Sequence, residues 1–179
     1  MKIEIISGRP RHESITVRVA KFLQKYLNET SIHKINLLDI RDFPLPHIQK
    51  VWTSIEVVPD EWKNLGKRMF SADAFILVTP EYNGSYSPAM KNLFDHFPKQ
   101  SHKPFGIATA SPGIMGGMRA SQQMQLLVAA LFGIPSPQML ITPLVDKKFD
   151  AEGNLLDESF QKQIEFFVKE FLWLSEKIV

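Results

Sequence analysis

The residues of this sequence that are best suited to chemistry lie in polar loops, and the first such loop spans residues 7–16. It combines two arginines with hydroxyl groups in the order Ser7-Gly8-Arg9-Pro10-Arg11-His12-Glu13-Ser14-Ile15-Thr16. The loop follows a short apolar run and precedes an amphipathic stretch, so it should join a strand to the N-terminus of a helix. Free backbone N–H groups and the positive end of the helix dipole make that position an anion site.

The side chains of this loop suit a phosphate. Arg11 can present a planar fork of donors, Ser14 and Thr16 add hydroxyl groups, and Gly8 allows close backbone approach. A terminal phosphate monoester fits better than a bridging pyrophosphate, because the sequence has no Gly-x-Gly-x-x-Gly. The alternative interpretation is a solvated loop in which Ser14 is an ordinary helix cap.

The absence of cysteine narrows the chemistry further. It excludes a disulfide framework, thiolate zinc sites and a thiol nucleophile. Small tyrosine phosphatases have a related strand–loop–helix anion site, but their loop contains a cysteine, so phosphate cleavage by that route is excluded here. A loop that holds phosphate without attacking it predicts a cofactor site.

A second loop, residues 79–88, offers flat surfaces and backbone donors. Its sequence is Thr79-Pro80-Glu81-Tyr82-Asn83-Gly84-Ser85-Tyr86-Ser87-Pro88. Tyr82 and Tyr86 can border a flat ring system, and the N–H groups around Asn83 and Gly84 can point at its edge. On this loop alone, however, the favoured interpretation of Asn83-Gly84 is a tight turn.

A third loop, residues 111–120, is rich in glycine and again precedes a predicted helix. It reads Ser111-Pro112-Gly113-Ile114-Met115-Gly116-Gly117-Met118-Arg119-Ala120. Its glycines permit close backbone approach, although a simple strand-to-helix connection would use them as well. The three loops together are a stronger indication than any one of them, provided that the fold brings them to one edge.

The pattern of apolar residues predicts such a fold. Short apolar runs alternate with longer amphipathic stretches, which is typical of a parallel sheet covered by helices. Strands are predicted at residues 3–6, 32–37, 74–78, 104–110 and 138–141, and five helices at 14–27, about a dozen residues from Pro59, 88–97, 118–132 and 157–178. With right-handed crossovers, we expect a flavodoxin-like doubly wound α/β fold: a five-stranded parallel sheet of order 2-1-3-4-5 with helices on both faces. Ligands of such sheets bind beyond the carboxyl ends of the strands.

Length and charge limit the remaining possibilities. A chain of 179 residues is expected to form one domain over residues 1–179. The net charge is +2 and no run of five or six like charges occurs, so binding of nucleic acid by a basic tail is not expected. We expect no membrane span and no signal peptide, and a cytoplasmic location, which the lack of cysteine permits.

Read together, the three loops resemble those of the NADPH-dependent FMN reductase family. The first resembles the family's Gly-Ser-x-Arg-x-x-Ser-x-Asn, with Arg9 in place of the serine and Thr16 in place of the asparagine. The second resembles its Pro-Glu-Tyr-Asn and the following Pro-x-x-Lys-Asn-x-x-Asp, here residues 80–83 and 88–95. The third resembles its Ser-x-Gly-x-x-Gly-Gly-x-Arg-Ala, here residues 111–120. The motifs stand in the family's order, and Ala89 replaces one family glycine.

The resemblance implies a protein that binds FMN without a covalent link, accepts a hydride from NADPH or NADH, and reduces a small-molecule acceptor such as a flavin, a quinone, an azo compound or a metal ion. It implies no catalytic acid or base, since the cofactor does the chemistry. It also implies a homodimer or homotetramer with the pocket near a subunit interface. The cofactor-binding residues that follow are Gly8, Arg9, Arg11, Ser14, Ile15 and Thr16 in the first loop, Pro80, Glu81, Tyr82, Asn83 and Gly84 in the second, and Ser111, Gly113, Gly116 and Gly117 in the third.

Two other classes of function remain open from the sequence. One is a flavodoxin-type electron carrier that binds FMN but is reduced by a partner protein, although such carriers are usually strongly acidic. The other is a non-catalytic interaction domain of the same fold. A metal site is not expected, because no two of the five histidines have the spacing of helical metal ligands.

Overall fold

The computed structural model describes residues 1–179 as a parallel sheet enclosed by helices. The strands are β1 (Lys2–Ser7), β2 (Lys34–Asp39), β3 (Ala74–Thr79), β4 (Pro104–Ala110), β5 (Ile134–Pro135) and β6 (Leu140–Thr142). The helices are α1 (Thr16–Thr30), α2 (Lys63–Ser71), α3 (Pro88–Asp95), α4 (Met118–Ala130), α5 (Val145–Lys148) and α6 (Gln161–Ile178). None of these helices combines the length and the apolar character that crossing a bilayer requires.

The sheet has the strand order β2-β1-β3-β4-β5, and β6 also pairs with β4. All pairings are parallel. Every residue of β3 and β4 is buried, as expected for central strands that are covered on both faces. The predicted flavodoxin-like topology is therefore confirmed.

Two apolar cores lie on opposite faces of the sheet. One contains the buried side of α1 and α6, with Leu23 and Phe167 fully buried. The other contains the buried sides of α2, α3 and α4, with Met69, Leu93 and Met124 fully buried. The helical spacing of apolar residues predicted the buried sides of α1 and α4, and every residue of the two expected stripes is buried. These residues are Val17, Ala20, Leu23 and Leu27 for α1 and Met124, Leu127, Val128 and Leu131 for α4.

The outer edge beside β4 differs from the prediction of one fifth strand. Two short strands share that position, because β5 pairs with Pro104 and Phe105 at the start of β4, whereas β6 pairs with residues 108–110 at its end. Pro135 and Pro137 lie at the interruption, and a proline has no N–H group for a ladder. The four-residue helix α5 was not predicted from the sequence. The second strand was predicted to begin at Ile32, but Ile32 is almost fully exposed and β2 begins at Lys34.

The segment between β2 and α2 is held in place by a few contacts. Three 3-10 turns lie at Ile40–Asp42, Ile55–Val57 and Asp60–Trp62. The Trp52 side chain is buried against the His96 ring, at 4.6 Å between ring centroids, and the backbone N–H of Trp52 donates to the His96 carbonyl. Asn92 on α3 donates to the Pro46 carbonyl at 2.9 Å. Trp52 and the apolar residues of α3 are thus part of the core.

A buried ion pair joins β1 to α2. Glu4 is 2% exposed, and its carboxylate accepts from Arg68 at 2.5 Å and from Asn36 at 3.0 Å. A carboxylate in this position is tolerated because its charge is paired and hydrogen-bonded.

We therefore expect Arg68→Met to cost about 3–5 kcal/mol of unfolding free energy, since it leaves the Glu4 carboxylate buried without its counter-charge. The double variant Glu4→Leu with Arg68→Met should recover most of that loss, because no unpaired charge remains. Urea unfolding followed by circular dichroism measures both. A single variant within about 1 kcal/mol of the parent protein would contradict the prediction.

Candidate functional site

The three loops identified in the sequence meet at the carboxyl edge of the sheet and enclose a cleft of about 830 Å³. This is the size range of pockets for small molecules and cofactors. A second recess of about 480 Å³ adjoins it and shares three lining residues with it. The main cleft is lined by Arg9, Arg11, Pro80, Glu81, Tyr82, Asn83, Ser85, Tyr86, Ser87, Pro88, Lys91, Ala110, Ser111 and Pro112.

The first loop presents donors to this cleft. Arg9 and Arg11 line it, and neither forms an ion pair with an acidic side chain. Six backbone N–H groups of the loop have no acceptor within the chain, namely those of Arg9, Arg11, His12, Glu13, Ile15 and Thr16. The loop is anchored from outside by Arg41, which donates to the His12 carbonyl at 2.7 Å. Side-chain hydrogen bonds to the Asp39 carboxylate raise the pKa of the Arg41 guanidinium further, so Arg41 stays charged.

The hydroxyl groups of the first loop are placed differently from its arginines. The Ser14 Oγ accepts the Val17 N–H at 3.3 Å, so Ser14 caps the start of α1, as the alternative interpretation of this loop held. Thr16 is completely buried in the first turn of α1, and its Oγ1 has no partner. Ser14, Ile15, Thr16 and Gly8 are not among the residues that line the main cleft.

The second loop forms the tight turn that its sequence predicts. Asn83 and Gly84 both have positive φ angles, of 50° and 83°, and Tyr82 and Ser85 exchange two backbone hydrogen bonds across them. This is the combination that a two-residue hairpin turn requires. The turn leaves the N–H groups of Asn83 and Gly84 without acceptors in the chain.

Two aromatic side chains of the second loop line the cleft. The Arg11 guanidinium lies over the Tyr82 ring, 4.8 Å from its centroid, and so connects the first loop with the second. Tyr86 is half-buried, and burial together with the smaller effect of the Asp95 carboxylate raises the pKa of its hydroxyl. Tyr86 therefore offers a neutral O–H donor beside an apolar ring at neutral pH.

The glycines of the third loop have mainly a backbone role. Gly117 has a φ of 87°, and a Cβ atom there would lie 2.9 Å from the Cβ of Thr109. Gly116 has a φ of 62°, and its Cβ would lie 2.7–2.8 Å from atoms of Ile141 and Pro143. Gly113 is exposed, with room for a side chain. Of these glycines, only Gly117 lines a cleft, together with Gly84 and Met115 in the smaller recess.

Hydrogen bonds fix the loops to one another. Ser87 caps α3 by accepting the Met90 N–H, and its hydroxyl donates to the Gly8 carbonyl of the first loop. The Glu81 carboxylate accepts from the backbone at the start of α4. The first loop is thus tied to the second through Ser87, and the second to the third through Glu81.

Buried polar side-chain atoms without partners concentrate at this edge. Six such atoms occur in the protein, and five belong to residues at the carboxyl ends of the strands or in the loops that follow them. They are the hydroxyl groups of Ser7, Thr16, Tyr82 and Thr142 and the Nε of Arg9. Native proteins leave few buried polar groups unsatisfied, and a cluster of them needs an explanation such as a bound ligand or water.

Several residues that line the cleft were not predicted from the sequence: Ser85, Ser87, Pro88, Lys91, Ala110 and Pro112. Tyr86, which the sequence suggested as a border for a flat ring, does line the cleft. The motif Pro-x-x-Lys-Asn-x-x-Asp contained a signal for part of the unpredicted residues. Lys91 pairs with Asp95 one turn along α3, at 2.6 Å, and this pair lies at the rim. His96, by contrast, is a packed histidine whose Nδ1 lies 2.7 Å from the Asn92 carbonyl.

Known proteins with this architecture identify the family. The sequence model of the NADPH-dependent FMN reductase family matches residues 1–144. An FMN-dependent NADPH-azoreductase of Staphylococcus aureus is 31% identical over 178 residues, which cover 96% of this chain and 94% of the relative. FerB, a flavoenzyme NAD(P)H:(acceptor) oxidoreductase from Paracoccus denitrificans, superposes with a TM-score of 0.83 at 26% identity, over 99% of this chain and 98% of its own. A flavodoxin variant from Pseudomonas aeruginosa shares the fold, with a TM-score of 0.58 at 18% identity over 96% of this chain and 99% of its own. The chain therefore belongs to the NADPH-dependent FMN reductase family, whose members are NAD(P)H-dependent flavin oxidoreductases with FMN as cofactor.

Proposed function

We propose that this protein binds FMN in the 830 Å³ cleft and uses reduced nicotinamide to reduce a small aromatic acceptor in the same place. The observation that carries the proposal is the concentration of unsatisfied polar groups at the edge of the sheet that bears this cleft; three of the five, on Arg9, Thr16 and Tyr82, belong to the family motifs. The acceptor classes that suit a cleft with two tyrosine rings are flavins, quinones and azo compounds, and a metal ion is a further acceptor. The use of reduced nicotinamide would place the protein in the cytoplasm.

The residues of the first loop fit the phosphate end of FMN. A phosphate dianion needs several donors, and this loop supplies six free backbone N–H groups together with two unpaired arginines. Arg11 lies above the Tyr82 ring, so it can contact a phosphate while its position is supported by the ring. In this proposal Ser14 and Thr16 act mainly through the start of α1, where the helix dipole adds to the attraction.

The second and third loops fit the ring end. The free N–H groups of Asn83 and Gly84 and those of Ile114 and Met115 can donate to the polar atoms of an isoalloxazine. Pro80 and Tyr86 supply apolar surface beside them. We assign Gly113, Gly116 and Gly117 to holding this loop close to the ring.

The chemistry of the reaction belongs to the cofactor, which when bound accepts a hydride and passes electrons on. The chain contributes fixed donors: backbone N–H dipoles of the second and third loops stabilise negative charge that develops nearby, without reorganising. The neutral Tyr86 hydroxyl adds one more donor. No carboxylate in the cleft is free to act as a base, because Glu81 is bound to the start of α4.

An uncharged surface next to the site supports a homo-oligomer. Ile114 is 81% exposed and Leu126 is 64% exposed, and Met115 and Met118 are exposed as well. The chain has no charged residue from Ala120 to Phe132, so beyond the exposed Arg119 the outer side of α4 is apolar or amide-bearing. Patches of this kind usually mark interaction surfaces, and we assign this one to a second copy of the chain.

The function is tested by the absorption spectrum of the purified protein. We expect a yellow protein, or a colourless one that takes up FMN, and anaerobic bleaching of the flavin band when NADPH or NADH is added. Protein that binds no FMN would contradict the proposal. Bound FMN that only a protein partner can reduce would instead indicate a flavodoxin-type carrier.

Replacing Arg11 tests the phosphate end. Arg11→Ala should weaken FMN binding by about 10- to 100-fold, because it removes a charge-assisted hydrogen bond. Riboflavin has the same ring system without the phosphate, so its affinity should change little, and Arg11→Lys should lie between. Fluorescence titration of the apoprotein measures both ligands. Equal losses for FMN and riboflavin would assign Arg11 to the ring end.

The subunit surface is tested by Leu126→Glu, which puts a charge into the uncharged side of α4. We expect sedimentation to change from an oligomer towards a monomer, while circular dichroism stays the same. Lys162→Glu on the exposed side of α6 is the control and should leave the oligomer intact. A monomeric parent protein would remove this part of the proposal.

A further inference from the structure

The start of α4 is capped from another loop. The residue before this helix is Gly117, which has a left-handed backbone and no side chain to accept a hydrogen bond. Glu81, 36 residues before Gly117, supplies the missing acceptor: one carboxylate oxygen accepts the N–H groups of Arg119 at 3.1 Å and of Ala120 at 3.4 Å. A cap is normally supplied by the residue next to the helix, so this arrangement links two loops that the sequence separates.

The backbone contacts, and not the ion pair, account for this link. The Arg119 guanidinium lies 3.4 Å from the other Glu81 oxygen, but its side chain is 69% exposed, and exposed pairs contribute little. The Glu81 side chain is only 17% exposed and faces the positive end of the α4 dipole. A carboxylate so placed is stabilised by both the free N–H groups and the dipole.

The link joins the two loops that we assign to the ring end of the cleft. Glu81 precedes the Tyr82–Ser85 turn directly, and Arg119 follows Gly116 and Gly117 of the third loop. Both Glu81 and Arg119 line the smaller recess where these loops face each other. The first loop is held by other contacts, through Ser87 and Arg41. Loss of the Glu81 carboxylate should therefore loosen the ring end and leave the phosphate end in place.

We infer that Glu81 is a positioning residue: its carboxylate clamps the third loop against the second and so sets the width of the slot that receives the flavin ring. This inference rests on the proposed function, because it names what one residue does for the ring. It assigns to Glu81 no contact with the reacting atoms and no transfer of a proton.

The experiment compares Glu81→Ala, which removes the acceptor, with Glu81→Gln, which keeps one carbonyl oxygen in the same place. Hydrogen exchange of the apoprotein, followed residue by residue, should become faster in Glu81→Ala at Arg119, Ala120 and residues 111–117, and it should remain slow in the central strands. FMN and riboflavin should both bind about tenfold more weakly, by the same factor, because the ring is common to both ligands. Glu81→Gln should restore both affinities to within about threefold of the parent protein.

A matched control removes a different carboxylate that accepts two hydrogen bonds. Asp150 accepts from the N–H and the side-chain amide of Asn154 in a turn outside the cleft. Asp150→Ala should leave the exchange of residues 111–120 and both flavin affinities unchanged. This control separates the loss of the clamp from a general effect of deleting a surface carboxylate.

Each contrary result has a definite meaning. Unchanged exchange at Arg119 and Ala120 in Glu81→Ala overturns the clamp, while the proposed function stands as long as the parent protein binds and reduces FMN. Faster exchange with unchanged flavin affinities overturns the positioning role, and faster exchange throughout the sheet overturns its local character. A larger loss for FMN than for riboflavin assigns Glu81 to the phosphate end instead. A parent protein that binds neither flavin overturns the inference together with the function.

Discussion

The site depends on the parallel pairing of β1, β3 and β4 in a register that brings their ends level. Ser7 of β1 pairs with Val78 of β3, and Thr79 of β3 pairs with Thr109 of β4. The chain therefore leaves the sheet at three neighbouring points of one edge. Each exit must be followed by a connection to a helix, so three sets of loop N–H groups and three helix N-termini collect where no further strand can accept from them.

Several residues in and beside the three loops serve the fold at this edge. Ser87 joins α3 to the first loop, Asn92 holds the segment before α2, and Gly116 and Gly117 allow the chain to turn over Thr109. Ser87 and Gly117 also line the main cleft and the smaller recess, respectively, whereas Asn92 and Gly116 line neither. Together these residues keep the arginines, the tyrosines and the free N–H groups in fixed positions, and fixed donors are what a site needs to stabilise charge without reorganising.

The sequence was sufficient to predict the order of the elements because β3, β4 and the stripes of α1 and α4 have unmistakable apolar patterns. It also predicted the turn at Asn83-Gly84, where the chemistry of the two residues determines the local backbone. The contributions of Glu81 and Tyr86 could not be predicted in the same way. Glu81 reaches a helix that begins 37 residues later, and the raised pKa of Tyr86 follows from its burial in the folded protein and from the Asp95 carboxylate. Such contacts exist only after the chain has folded, so no local spacing indicates them.

The broken strand beside β4 has a consequence for how this molecule behaves in a crowded solution. β5 and β6 cover the two ends of β4, and between them the ladder stops at Gly106 and Ile107. A long, flat outer strand would offer a foreign chain a continuous template for β-addition, the first step of amyloid-like aggregation. Because of Pro135, Pro137 and the gap between β5 and β6, a foreign chain finds no continuous outer strand to pair with. The apolar central strands of the sheet are therefore protected from self-association.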